Sequence, residues 1–553
     1  MDDKVLGGII LILVIVAGVA GVLFYNSDFN NPGTDNNTKN TTNNNTASND
    51  TTNTSTDQLA LTLLPVNQPG NNPGPSPGPS PGPGPSPDPM DNIISLFDAY
   101  LKANYDQSLV PGMAVVIVQD GKIIYMNTLG VRDLASGEPV DKNTLFGIGS
   151  NTKPFSATNI GQLVSKGLMS WDDPIAKYFS VPDEFQLYSD YVSNNITIRD
   201  ALCHRSGLPA LDGDLIWAGF NQPYPYIMKN LRYRENSTPF RSTWQYNNLI
   251  YVIPSYAAAR VAKTPWNELI KEDLLIPLGM RTSVTSYWDF LKTKNHAKPY
   301  YLLKNGTMME YDIIPDSVGP AGSIYTSISE IANWLKFQIA DTGYYNGVKI
   351  LNKKELDETR TGQIKVNDQS QYGFGWGVLK DYITHAGGLD AFKSQVTVYP
   401  SKGLAIAVLA NGGEYAGAYR TALDKKFRDL INGNYTSNPW STQKKKAQDS
   451  LKPVPPTPPI IKPTLPLNGY TGTYSNKFYG NIKITTSNGA LICYYGVDKH
   501  PFKLTHWNNN TYEEIVFNNY FEFSNIKKGK ANQLTVKLSD SPENATFNRT
   551  KSA

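Results

Sequence analysis

Gly149-Ser150-Asn151-Thr152-Lys153 is the stretch on which the reading of this chain turns. It sets a hydroxyl and an amine three residues apart, and at a helix start residues i and i+3 share one face, so Lys153 is within reach of Ser150. A serine hydroxyl is a poor nucleophile at neutral pH and gains reactivity from an adjacent base. The neighbouring sequence places the pair where a loop becomes a helix. Upstream, Met113 to Gln119 and Lys122 to Asn127 are apolar, β-rich runs joined by Asp120-Gly121, a hairpin signal. Downstream, Phe155 to Leu168 carries apolar residues at helical spacing, and Pro154 fits only in a first turn. Backbone N–H groups at such a start have no intrahelical partner and suit a developing anion.

Two further segments supply what the chemistry lacks. Tyr246-Asn247-Asn248 reads as Y-x-N, a phenol able to shuttle a proton and an amide able to orient a carbonyl. His385-Ala386-Gly387-Gly388 precedes the strand-like Ala391 to Tyr399, and its small residues let a substrate lie against an edge backbone. With Leu202-Cys203-His204-Arg205-Ser206-Gly207-Leu208, Pro277-Leu278-Gly279-Met280 and Ala321-Gly322-Ser323, these motifs run in order between about Met90 and Asn434. In that order they resemble the serine β-lactamase and penicillin-binding protein superfamily, in its class C-like branch of esterases, D-aminopeptidases and carboxypeptidases.

The resemblance implies a mixed α/β fold, an antiparallel sheet flanked by helices beside an all-helical part, with the site between them. It implies that Ser150 attacks a carbonyl and becomes acylated, that Lys153 and Tyr246 move its proton to the leaving group, and that water releases the acyl chain. Asn248 would hold Lys153 and the substrate amide. His385 would stand where many relatives carry the Lys of K-T-G, Gly387 and Gly388 would line the substrate edge, and the N–H groups of Ser150 and Gly388 would form the oxyanion hole. Which of Lys153 and Tyr246 is the base stays open, because the two titrate as a coupled pair. Two departures matter. Ala386 stands where many relatives have a hydroxyl that helps bind a carboxylate, and His385 is largely neutral at pH 7. Both favour a neutral ester or amide over an anionic β-lactam.

Other conspicuous residues have plainer readings. His204 is expected to satisfy backbone groups in a turn between helices, and Cys203 to be a small buried hydrophobe. His500 and His506 show no ligand spacing, so neither a metal nor a cofactor is expected. Ser327-Ile328-Ser329-Glu330 is a capping box before Ile331 to Phe337. Asp172-Asp173-Pro174 reads as a loop or helix start. Tyr372 to Gly377, which alternates aromatic residues with Gly, reads as core with close backbone approach.

The ends of the chain set the expected compartment. Val5 to Tyr25 is apolar and free of charge, near the ~20 residues needed to span a bilayer, and no small-residue cleavage site closes it. Residues 1–26 therefore read as an uncleaved, single-pass transmembrane anchor in the cell membrane, although Lys4 alone gives little positive-inside signal. Residues 27–89 read as a disordered Asn/Thr-rich stalk followed by a Pro/Gly/Ser spacer. N-x-[ST] sites at Asn36, Asn40, Asn44, Asn49 and Asn53 fit a glycosylated, extracytoplasmic chain. The net charge of +3 leaves no nucleic-acid footprint, and two Cys give no disulfide framework, so stability must come from core packing.

Residues 90–435 are expected to form the catalytic domain, 436–466 a Pro-rich linker, and 467–553 an all-β domain of short turn-separated strands. The last resembles the lipocalin-like barrel attached to some hydrolases of the superfamily, with possible roles in capping the site, binding a substrate tail or self-association into a homo-oligomer. The leading expectation is a membrane-anchored extracytoplasmic serine hydrolase that cleaves an amide or ester bond of a small substrate (a D-amino acid peptide, a β-lactam or an ester). The alternative is a non-catalytic surface-binding protein on an inactive hydrolase scaffold.

Overall fold

Asp120 and Gly121 both take positive φ, 48° and 76°, the conformation of a two-residue primed turn that matches the twist of the strands it joins. They link β1 (Gly112–Gln119) to β2 (Lys122–Gly130). The computed structural model describes residues 89–550 apart from 304–305, 311–313, 390, 451–459, 498–499, 515–518 and 538–543. The expected anchor, and the stalk and spacer up to residue 88, lie outside the described residues. Among the described residues no helix is long and apolar enough to cross a membrane.

Beyond the hairpin, the strands of the first half are β3 (Ile364–Asn367), β4 (Ser370–Tyr372), β5 (Gly377–Val378), β6 (Ile383–Gly388), β7 (Phe392–Tyr399) and β8 (Leu404–Asn411). Among the described residues they form with β1 and β2 one antiparallel sheet in the order β2-β1-β8-β7-β6-β5-β4-β3. Every residue of β7 and β8 is buried, as happens when helices cover both faces of a sheet.

The helices that matter below are α1 (Pro89–Tyr105), α2 (Thr152–Ser165), α3 (Leu215–Ala218), α4 (Asn248–Tyr251), α5 (Ile328–Ala340), α6 (Gly413–Ile431) and α7 (Pro439–Ser450). Ser327 caps α5 by accepting from the Glu330 backbone N–H, and Ile331 and Leu335 of α5 share a core with Ala114, Val116 and Leu409 of the sheet. Phe97 of α1 packs edge-on against Phe427 of α6, with ring centroids 5.7 Å apart.

The linker expected over 436–466 begins later than the sequence suggests. Its first part is α7, docked by the buried side chains of Trp440 and Ala447; the Trp440 ring lies 4.9 Å from Tyr419, and the Trp440 backbone N–H donates to Tyr100 Oη at 2.8 Å.

The C-terminal domain is a closed antiparallel barrel of strands β9 (Gly472–Asn476), β10 (Gly480–Ser487), β11 (Ala490–Tyr495), β12 (His500–Asn508), β13 (Thr511–Glu514), β14 (Asn519–Lys527), β15 (Lys530–Lys537) and β16 (Asn544–Arg549). Each strand pairs with the next, and β16 closes on β9 through Tyr474↔Arg549. Alternate residues point inward, as Ile482 and Ile484 do in β10. The interior is filled rather than hollow around Tyr470, whose ring lies 5.3 Å from Tyr512 and 5.0 Å from Phe523.

Candidate active site

Ser150 lies in a single 3-10 turn, Gly149–Asn151, that leads directly into α2. The turn is reached through a short pairing of Phe146–Gly147 with Tyr325–Thr326 and is fixed by the Ile148 N–H donating to Ile324 O at 3.0 Å. β6 runs against it. A Cβ on Gly149, at φ +49°, would lie 2.8 Å from the backbone N and C of Gly388, and one on Gly387 would lie 1.9 Å from Ile148 O. Both positions therefore need glycine. Gly387, expected as a substrate contact, is buried and serves this close approach. Asn151 adds a stitch: its amide lies 2.7 Å from Ser394 Oγ and, with its NH2 turned to the strand, 3.0 Å from His385 O.

This packing makes a prediction. Gly149→Ala must push Gly388 away from Ser150, and a displacement of that order costs about 100-fold in rate. The rate of covalent labelling of Ser150 by a fluorophosphonate checks it; labelling at the wild-type rate would show that the register of β6 does not matter.

β5 pairs with β6 only at Ile383 and Thr384, so among the described residues no strand occupies the same edge over 385–388. Ser150 and Gly388, both half-buried, border this open edge.

Lys153 is fully buried. Its Nζ is 3.1 Å from Ser150 Oγ, 2.8 Å from Asn248 Oδ1 and 3.2 Å from Ala321 O. It also lies over the Tyr246 ring, 4.7 Å from the centroid. A neutral amine has two N–H groups and one lone pair. Two of these three neighbours accept only, and the third is a hydroxyl that can donate. Burial holds the Lys153 pKa well below its ordinary value, and the Asp214 carboxylate opposes that shift. Burial pushes the Tyr246 phenol far up, with a hydrogen bond involving the Ser150 hydroxyl pulling it back.

The Y-x-N segment is held from behind. Asn247 caps α4 by accepting from the Ile250 N–H at 3.2 Å, and this puts Asn248 at the first helical position, facing Lys153. His204 accepts from the Asn247 N–H through Nδ1 at 3.1 Å, the satisfaction of a backbone group expected of it, and its ring lies 4.3 Å from that of Tyr246. His385 is fully buried: Nδ1 donates to Ala386 O at 2.7 Å and Nε2 accepts from the Tyr372 hydroxyl at 3.1 Å. Burial keeps it neutral, and a proton on Lys153 would hold it so more firmly. Its side chain lies beneath the edge and supports the aromatic cluster of Tyr246 and Tyr372.

Asp214 joins the site although none of the sequence motifs points to it. Its buried carboxylate accepts from Asn248 Nδ2 at 2.8 Å and from Trp217 Nε1 at 3.0 Å, which completes a line Asp214–Asn248–Lys153–Ser150. Burial raises its pKa to about 6, against the pull of Trp217, Asn248 and Lys153. The available signal was weak: an Asp three residues before a Trp at the start of an apolar run. Among the described residues no group of three or more His, Cys, Asp or Glu side chains could hold a metal ion.

The family described as Beta-lactamase matches residues 97–427, and a Domain of unknown function (DUF3471) matches 456–550. The chain is similar to the unguisins hydrolase ungD' of Aspergillus campestris, 28% identical over 70% of this chain and 77% of that protein. It is also similar to the unguisins hydrolase ungD of Aspergillus violaceofuscus, at 25% over 68% and 73%, and to protein flp of Staphylococcus aureus, at 24% over 57% and 62%. The octameric penicillin-binding protein homologue from Pyrococcus abyssi superposes with a TM-score of 0.55, covering 82% of this chain and 99% of that one at 20% identity, a likeness of fold. Since the family match spans more than half of the chain and encloses all the side chains assembled around Ser150, this protein belongs to the beta-lactamase family of serine hydrolases.

Proposed function

We propose that this hydrolase cleaves a neutral amide or ester through an acyl-enzyme on Ser150. The observation that carries the proposal is the contact of 3.1 Å between Lys153 Nζ and Ser150 Oγ inside a buried pocket. Neutral Lys153, donating to Asn248 Oδ1 and Ala321 O, turns its lone pair to the Ser150 hydroxyl and takes its proton as Oγ attacks the carbonyl carbon. The Ser150 and Gly388 N–H groups receive the oxyanion. The proton passes to the leaving group by way of the Tyr246 phenol, whose high pKa keeps it a donor. Water then attacks the acyl carbon by the reverse proton route and restores Ser150.

Ala386, without a hydroxyl, and the buried neutral His385 support a substrate that lacks a carboxylate at this edge. A D-amino acid peptide with a free terminus and a penicillin are the weaker candidates. The presence of Ser150, Lys153, Tyr246 and Asn248 in one connected arrangement speaks against a non-catalytic binding protein. In this proposal the apolar run Val5 to Tyr25 anchors the chain in the membrane with its catalytic domain outside, and the octameric Pyrococcus homologue makes self-association a reasonable expectation.

The test is mass spectrometry of the full chain after exposure to a fluorophosphonate and, separately, to a penicillin. A stoichiometric fluorophosphonate adduct on the Ser150 peptide, without a persistent penicillin adduct, is the expected result. Folded protein that takes up no fluorophosphonate would return the non-catalytic reading. A lasting penicillin adduct on Ser150 would move the substrate to carboxylate-bearing peptides.

A further inference from the structure

We infer that the C-terminal barrel keeps the catalytic lysine in working order by gripping the segment 213–222, with Asp214 as the positioning residue at its inner end. The inference rests on the assignment of Ser150 and Lys153 proposed above.

The segment belongs to the catalytic half, yet its apolar side chains plug the barrel. Phe220 is buried among Tyr479, Tyr495 and Phe547, with ring centroids 5.6, 5.2 and 5.8 Å away. Its carbonyl accepts from the Val497 N–H at 3.0 Å. Leu215 and Phe220 meet Ile482, Phe521 and Val536 around a void of only about 10 Å³. The barrel's backbone is fitted to the plug as well: a Cβ on Gly496 would lie 3.0 Å from Gly219 O. On the other side, a Cβ on Gly213 would touch Phe478 of the barrel at 3.0 Å and Leu249 of α4 at 2.7 Å. Arg234 pairs with Asp212 and lies over the Phe478 and Tyr479 rings.

Asp214 immediately precedes Leu215, and its carbonyl accepts from the Trp217 and Ala218 N–H groups, so it moves with the plug. A carboxylate only accepts in its charged form. By taking the Asn248 NH2 it forces that amide to turn its oxygen to Lys153 Nζ, and this orientation frees the lysine lone pair for Ser150. An eight-stranded barrel of this type often encloses a ligand; here the end facing the catalytic domain holds the protein's own chain.

The titratable groups around Lys153 are Asp214, Tyr246, Tyr251, His204 and His385. Asp214 supplies the negative charge that favours the protonated lysine, so withdrawing it moves the acid limb of kcat/KM to lower pH. The experiment compares full-length wild type, Asp214→Asn, Phe220→Ala and the milder Phe220→Leu with Phe523→Leu, a change in the barrel interior away from the plug. The expected result for Asp214→Asn and Phe220→Ala is a loss of kcat of about tenfold or more, with KM changed by less than about threefold and the acid limb displaced downward in both. Phe220→Leu should show the same displacement with a smaller loss, and it decides the matter if Phe220→Ala does not fold. Phe523→Leu should lower the melting temperature but leave kcat and the limb in place. Wild-type kcat and an unmoved limb in the Phe220 variants, or an equal loss of kcat in Phe523→Leu, would overturn the inference. Failure of wild type to label at Ser150 is a separate result that removes the proposed mechanism itself.

Discussion

Ser150→Ala is expected to lower kcat by about a thousandfold or more and to move the melting temperature by less than about 2 °C. The two parts follow from different features of the same residue. Ser150 is half-buried at the open edge of β6, so truncating it opens no core cavity. Lys153, its neighbour, keeps both of its carbonyl acceptors, Asn248 Oδ1 and Ala321 O, so no buried donor is stranded. The chemistry loses the atom that forms the acyl bond, and what remains is the modest acceleration that an oxyanion hole and binding provide alone. Steady-state hydrolysis of an activated ester and a thermal melt measure the two effects. Turnover by the variant at more than about a tenth of the wild-type rate would mean that another group is the nucleophile.

What could be read in the sequence was what depends on the nearest few residues. Asp120-Gly121 specifies its turn because two consecutive positive φ values suit few other pairs, and Ser327 with Glu330 marks the start of α5 because the cap bond spans three residues. The Ser150-to-Lys153 contact was legible for the same reason. The rest depends on neighbours far along the chain. Gly387 looks like a substrate-facing glycine until Ile148 O is found pressed against it. His385 looks like a ligand-binding residue until Tyr372, thirteen positions earlier, is seen to cover its Nε2. α7 hides in a stretch rich in lysine because a few buried side chains, Trp440 and Ala447 among them, are enough to dock it. Asp214 was invisible because its meaning lies in Asn248, 34 residues on, and in a plug whose partners begin near residue 478.

Lys153→Met should separate the two candidate bases and, at the same time, show what the site costs the fold. If the lysine lone pair is the acceptor of the Ser150 proton, the variant loses about a thousandfold in kcat/KM, because Tyr246 in its buried pocket holds its own proton far too tightly to take over. Activity within about tenfold of wild type would instead make the phenol the base. The stability arm has a definite sign. Folding lowers the Lys153 pKa well below 10.5, so between the folded value and 10.5 the unfolded chain binds the extra proton, and wild-type stability rises with pH across that window. Methionine has similar length and no proton to lose, so its stability lacks this rise. Asp214, lifted to about 6, is already ionised in both states over the same range, so its own titration adds no slope. The melting temperature of Lys153→Met relative to wild type is therefore expected to be most favourable near pH 7 and to fall by about 3 °C toward pH 10. The comparison cancels the titrating groups that do not interact with Lys153, so a difference that stays flat between pH 7 and pH 10 would mean that Lys153 is charged in the folded protein at neutral pH. A charged Lys153 could not accept the Ser150 proton, and the general-base assignment would have to leave the lysine.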